Sequence, residues 1–153
     1  VIKLRTFQST DLETLYRIDQ VCFPLGIAYS KSELRYYLWH PKAFTAVAEG
    51  PEGIAGFCTG QSYLKDGTRA GHIITIDVLP EARRQGTGRL LFCAVEEHFR
   101  KEAVDSIHLE VATDNEAAQK FYSAMGYERI GRIPGYYNGK LDAVVMEKLF
   151  SGE

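Results

Sequence analysis

The sequence predicts an α/β (α+β) fold, a mixed central β-sheet of about seven strands flanked by four helices. Three observations predict it. Stretches with strand character and stretches with helical spacing follow one another as β-α-α-β-β-β-α-β-α-β-β. The chain has 153 residues, 45% of them hydrophobic, which suits a single domain over residues 1–153 built on one proper core. No repeat, linker or low-complexity run divides it.

The first strand is the alternating stretch VIKLRTF, residues 1–7. The first helix lies in TDLETLYRIDQVCF, where Thr10 and Glu13 have the spacing of a capping box and Leu12, Leu15, Tyr16 and Ile18 share one face. A second box, Ser30 with Glu33, opens a shorter helix in SKSELRYYL. Between them FPLGIAY, residues 23–29, is an apolar loop, although connections normally run through water. Such a loop is either packed down or built to receive something. AFTAVAEG, GIAGFCTGQSYL and AGHIITIDVL are strands joined by turns at GPEG and KDGT. A helix from Thr87 to Arg100 turns Leu90, Leu91, Ala94, Val95 and Phe99 inward. SIHLEVA is a strand, DNEAAQKFYSAMG a helix capped by Gly126, and YERIGRI and KLDAVVMEKLF are final strands around the loop PGYYNG.

Composition excludes several function classes. A formal net charge of −2 with 25% charged residues argues against nucleic-acid binding by bulk charge. No apolar run approaches a membrane span, and residues 1–20 lack the plan of a signal peptide. Cys22, Cys58 and Cys93 are odd in number and widely spaced, as in reduced thiols of a cytoplasmic protein, and no metal site is expected.

Residues 78–91, VLPEARRQGTGRLL, place arginines and glycines between a strand and a helix. A side-chain-poor, positive turn at a helix mouth suits a phosphate, because the first helical N–H groups are unpaired and the helix dipole favours an anion. A Walker loop is excluded, since no G-K-[ST] follows. A dinucleotide fingerprint fits poorly: Leu91 stands at the third glycine, and PEARRQ separates the glycines from the strand.

RRQGTG reads as R-x-x-G-x-G after a strand ending in IDVLP, and LEVATDNEAAQKFYSAMGY, with its N-x-x-A-x-x-F-Y segment, follows it. In these two motifs, and in element order over nearly its whole length, the chain resembles the GNAT acyltransferases. The resemblance implies that the turn holds the pyrophosphate of acetyl-coenzyme A through backbone N–H groups of Gln85, Gly86, Thr87, Gly88 and Arg89, with charge from Arg83 and Arg84. It places the pantetheine arm along the strand edge at Ile76 and Val78, and beside Asn115 and Ala118. Asn115 is equally a candidate helix cap. Asp77 departs from the small residue of the family pattern; it faces the opposite side or touches the incoming amine.

Acetyl transfer to an amine requires a base for the ammonium and an acid for the departing thiolate. Glu110, mid-strand between Leu109 and Val111, is either an outward-facing strand residue or such a base. LEV before the asparagine motif resembles the protein N-terminal acetyltransferases, including the ribosomal-protein alanine enzymes, and this implies the base role. Tyr122 is a core aromatic or, as the family position implies, the acid. His108, on the same strand face as Glu110, is read as structural. FPLGIAY and GYYNG resemble the segments that clamp a peptide's first residues in that branch. This implies an apolar wall from Phe23, Pro24 and Leu25, with Tyr29, Tyr136 and Tyr137 against the peptide. The expected acceptor is therefore a protein or peptide N-terminal α-amine. The alternatives are a small-molecule amine or lysine acceptor, or an acyl-coenzyme A-binding module without turnover.

Overall fold

The structure, a computed structural model, describes residues 1–150. Its elements are β1 (Lys3–Thr6), α1 (Leu12–Cys22), α2 (Lys31–Leu38), β2 (Ala43–Gly50), β3 (Gly53–Lys65), β4 (Thr68–Val78), α3 (Thr87–Lys101), β5 (Ser106–Ala112), α4 (Glu116–Ala124), β6 (Glu128–Tyr137) and β7 (Leu141–Leu149). The order is the one the sequence predicts. Two local expectations change. A 3₁₀ turn over Ser9–Asp11 precedes α1, and it is Asp11, not Glu13, whose carboxylate accepts the Gln8 backbone N–H, at 2.8 Å. Asp11 also pairs with Arg5, which fixes this corner, while Glu13 pairs instead with Lys31. The Ser30–Glu33 box is present in full. On α3, Leu90 faces solvent and Phe92 takes the buried place assigned to it, because the sheet contacts the stripe Leu91, Phe92, Val95 and Phe99.

Seven strands pair in the order β1-β2-β3-β4-β5-β7-β6, antiparallel except for β4 beside β5. Alternation along each strand sends side chains to two layers. One face packs α3 and α4 against Cys58, Ile107, Leu109 and Val111; the other packs α1 and α2 against Val47 and Phe57. Burying each large apolar side chain stabilises by about 1.5–3 kcal/mol. Phe99 lies directly on the sheet because β3 and β4 offer glycine beneath it: a Cβ on Gly60 or Gly71 would stand 2.8 Å from its ring.

The feature that makes the site is a split. β4 and β5 pair only through Ala70–His72 and Ser106–His108. Thr75 pairs with Thr59 and Ile73 with Gly60, so Ile74 is an extra residue, a β-bulge. A bulge bends its strand and ends regular pairing. Beyond it β4 stays with β3 while β5 runs on with β7. The edge of β4 from Ile74 to Val78 therefore lacks a neighbouring strand.

Candidate active site

A cleft of about 760 Å³ fills this split. Its walls come from both faces of the sheet: Phe23 to Ile27 and Tyr29 on the α1–α2 side, and Gly88, Ala118, Phe121 and Tyr122 on the α3–α4 side. The cleft passes between the strands, and the two sides differ in chemistry.

On the α3–α4 side the chain presents backbone and small side chains. Ile76, Val78, Arg83, Gly88, Asn115, Ala118 and Tyr122 all line the cleft. A Cβ on Gly88 would lie 3.7 Å from Val78 and 3.9 Å from Ile76 and Phe121, so any larger side chain would project into the slot. Gly86 adopts a left-handed φ of 80°, and Arg84 one of 65°, which turns the chain sharply into α3. The Leu90 N–H is the first to close onto Gly86 oxygen, leaving the earlier amides of α3 free to donate. The Arg83 side chain donates to Val78 oxygen at 2.8 Å and is held at the rim. Arg84, Gln85, Gly86, Thr87 and Arg89 form the turn above the cleft and do not line it; Thr87 is buried. Asn115 caps α4 as expected, its Oδ1 accepting the Ala118 N–H at 3.1 Å, and it also lines the cleft. A slender ligand with an anionic end fits this half: unpaired strand edge, glycine floor, free helical amides.

On the α1–α2 side the chain presents polar side chains. Glu110 projects from β5 away from the α3–α4 core, and its Oε1 lies 2.7 Å from His72 Nε2. His108 Nε2 stands 3.8 Å from the other oxygen, and the two imidazoles stack at 4.4 Å, 9° from parallel. Burial alone would raise the Glu110 pKa, but the His72 hydrogen bond and both imidazoles bring it below its usual value. Glu110 therefore stays ionised at neutral pH. Burial and His72 push His108 below the ordinary imidazole value. Tyrosines enclose the carboxylate. Tyr136 reaches Oε1 at 3.4 Å, Tyr63 reaches His108 Nδ1 at 3.3 Å, and Tyr29 donates to Ile74 oxygen at 3.2 Å. Tyr137 lines the cleft, its phenol raised to about 12 by burial and by Glu110. Leu25, at 101% relative exposure, stands at the mouth uncovered. The greasy loop is thus packed at Tyr29 and open at Leu25.

Tyr122 sits at the join of the two halves. It is buried, against Phe92 and Phe121, and burial raises its phenol pKa far above the ordinary value. It lines the cleft nonetheless, so its core packing and a role at the cleft are compatible.

Asp77 faces away from the cleft, toward α1, as one of the two sequence expectations had it. It is 1% exposed and accepts from Thr75 at 2.5 Å. Burial, then a hydrogen bond with the buried Asp19, raises its pKa well above the usual value. Two carboxyls share a hydrogen bond only when a proton lies between them, and the raised pKa of Asp77 favours that state. Asp19 in turn accepts the Tyr29 backbone N–H at 2.7 Å, which ties the apolar loop to β4.

Sequence reasoning brought Glu110, Tyr122, the glycine turn and both loops to one place. It did not single out His72 or Tyr63, and it read as structural His108, which stands 3.8 Å from Glu110. His72 and Glu110 are 38 residues apart, and only the parallel pairing of β4 with β5 joins them. A histidine beside Gly71 in a strand read as apolar was the available signal.

Comparison with known proteins agrees with this geometry. The sequence model of the acetyltransferase (GNAT) family matches residues 12–127. An uncharacterised N-acetyltransferase of Methanocaldococcus jannaschii is 32% identical over 146 residues, covering 95% of this chain and 90% of that protein. The ribosomal protein bS18 alanine N-acetyltransferase of Escherichia coli K12 is 28% identical over 149 residues, covering 94% of each. Among solved structures, Arabidopsis thaliana Naa50 in complex with the bisubstrate analogue CoA-Ac-MVNAL superposes with a TM-score of 0.84 at 28% identity, covering 97% of this chain and 99% of that one.

Proposed function

The chain belongs to the acetyltransferase (GNAT) family, and from that premise we propose that it acetylates the N-terminal α-amine of a protein or peptide by direct attack in a ternary complex. Acetyl-coenzyme A supplies the activated acetyl thioester from the α3–α4 side. The free amides at the start of α3 and the turn at Gln85 to Arg89 take its pyrophosphate, and Gly88 leaves room for the arm along Ile76 and Val78. The acceptor enters from the α1–α2 side, with its first side chain against Phe23, Pro24 and Leu25 and its backbone near Tyr29, Tyr136 and Tyr137.

The observation that carries the acceptor class is the ionised Glu110 between His72 and His108. A carboxylate held below its usual pKa is a weak base, so it suits the easier proton. An α-amine of pKa about 8 is roughly a tenth neutral at pH 7, whereas a lysine of pKa about 10.4 is about 0.04% neutral. Glu110 takes the amine proton, and His72 orients the carboxylate and stabilises its charge. Tyr122 donates a hydrogen bond to the departing sulfur. Because burial raises its pKa, the phenol acts by donating this bond through the transition state rather than by ionising. The relatives named for N-terminal acetylation and the peptide-bearing Naa50 complex support this acceptor class.

The test is mass mapping of products from peptides with a free N-terminus and an internal lysine. Acetylation is expected at the N-terminus, and blocking it should leave the lysine nearly unmodified. Preferential lysine acetylation, or a small polyamine outrunning every peptide, would replace the acceptor class and leave the cofactor half intact.

A further inference from the structure

His72, His108 and Glu110 bring together more than a base and its partner. We propose that these three side chains form a site for a divalent metal ion of the zinc class, and that an ion bound there takes the Glu110 carboxylate out of use. Their ligand atoms all lie within 4.8 Å of one another. Two imidazoles and one carboxylate are a donor set that zinc-type ions favour over magnesium or calcium. Zinc held at about 2.0–2.1 Å in a tetrahedron spaces its ligand atoms about 3.3 Å apart. His72 Nε2 lies 2.7 Å from one Glu110 oxygen and His108 Nε2 lies 3.8 Å from the other, so both imidazoles already face the carboxylate. The two imidazoles, stacked 9° from parallel, must tilt apart for both Nε2 lone pairs to reach one ion.

The backbone beneath is fixed. His72 and His108 are register partners at the last hydrogen-bonded step of β4 and β5, before the split. Glu110 follows two residues later on the same strand face, paired to Val145 of β7. Tyr63 occupies His108 Nδ1 at 3.3 Å, which leaves Nε2 turned toward Glu110. An outer partner of this kind orients a metal-binding imidazole and is worth about 10–100-fold in affinity. The side chains are 13% to 23% exposed, so an ion can enter. Coordination draws electron density from the carboxylate, and the charge of the ion opposes its protonation, so it no longer serves as a base. Metal binding itself is independent of the transfer reaction; only the competition with the amine rests on Glu110 being its base.

The experiment uses the full chain without a histidine tag, zinc chloride alone in calorimetry, and cobalt(II) absorption as a second readout. One ion per chain is expected, with cobalt ligand-field bands. His72→Gln and His108→Gln should each weaken binding by more than about tenfold. His98→Gln and Cys93→Ser should not, since His98 pairs with Glu102 on α3 and Cys93 is an exposed thiol. Coenzyme A affinity serves as the check that each variant is folded. Unchanged zinc binding in both histidine variants, or loss of binding with Cys93→Ser or His98→Gln, would overturn the site. With binding established, zinc should inhibit transfer competitively with the peptide. Inhibition indifferent to peptide concentration would keep the metal site and remove Glu110 from the role of base.

Discussion

At its α3–α4 end the cleft is made of main chain: an unpaired strand edge, helical amides and a glycine floor. At its α1–α2 end it is made of side chains: a carboxylate, two imidazoles and a ring of phenols. On the proposed function, the first construction recognises what is invariant in a ligand, a phosphate and an extended arm, and needs little more than the right local backbone. The second must handle a proton and an acceptor whose identity varies, so it depends on groups whose charge and position are tuned by neighbours. Damage to the two ends should therefore look different.

The largest effect is expected at the main-chain end. Gly88→Val places two methyl groups over Ile76, Val78 and Phe121 and should remove measurable coenzyme A binding in calorimetry, while thermal melting shows a folded protein. Undiminished affinity would break the contrast, because the backbone would then not be what holds the cofactor.

At the side-chain end Glu110→Gln preserves shape and a hydrogen bond to His72 but cannot take a proton. Turnover should fall by about 10²–10⁴-fold with coenzyme A affinity unchanged. The loss should shrink as pH rises, because the neutral amine then forms without help. A parallel loss of cofactor binding would show that the two ends are one unit.

The smallest effect concerns the buried pair Asp77 and Asp19, which ties the apolar loop to β4. Asp77 in the folded protein holds its proton above the ordinary carboxylate pKa of 3.8. The folded state then binds more protons than the unfolded one between that value and the raised one, so this contribution is present below pH 3.8 and is lost as pH rises through the raised pKa. Asp77→Asn removes the titration. Its melting temperature relative to the parent should rise with pH across that window, by on the order of a few degrees. A constant offset at all pH values would place the proton elsewhere.

The two ends also differed in how far the sequence disclosed them. The glycine turn is contiguous, so RRQGTG after IDVLP could be read as a unit, and Arg83 and Gly88 line the cleft. The fold was legible for a similar reason, since helix and strand periods are local properties. Glu110 could be singled out as a carboxylate placed mid-strand, yet its partners could not. His72, Tyr63 and Tyr136 come from β4, β3 and β6, and they converge only through sheet register. Thr10 failed as a cap because Asp11 competes successfully for the same corner with Arg5 behind it. Leu90 failed as a core residue because helical spacing leaves a stripe's edge uncertain by one position, and Phe92 lies nearer the sheet.

The bulge at Ile74 has a further consequence. By parting β4 from β5 it opens a cleft lined by residues from both faces of the sheet. A blind cavity must swallow its ligand whole and therefore caps the ligand's size. A passage open at both ends admits only the reacting tips and lets the rest of each molecule trail outside. On the proposed function, one supernumerary residue in a strand would let a folded chain of any length present its terminus from one side while a nucleotide stays seated on the other.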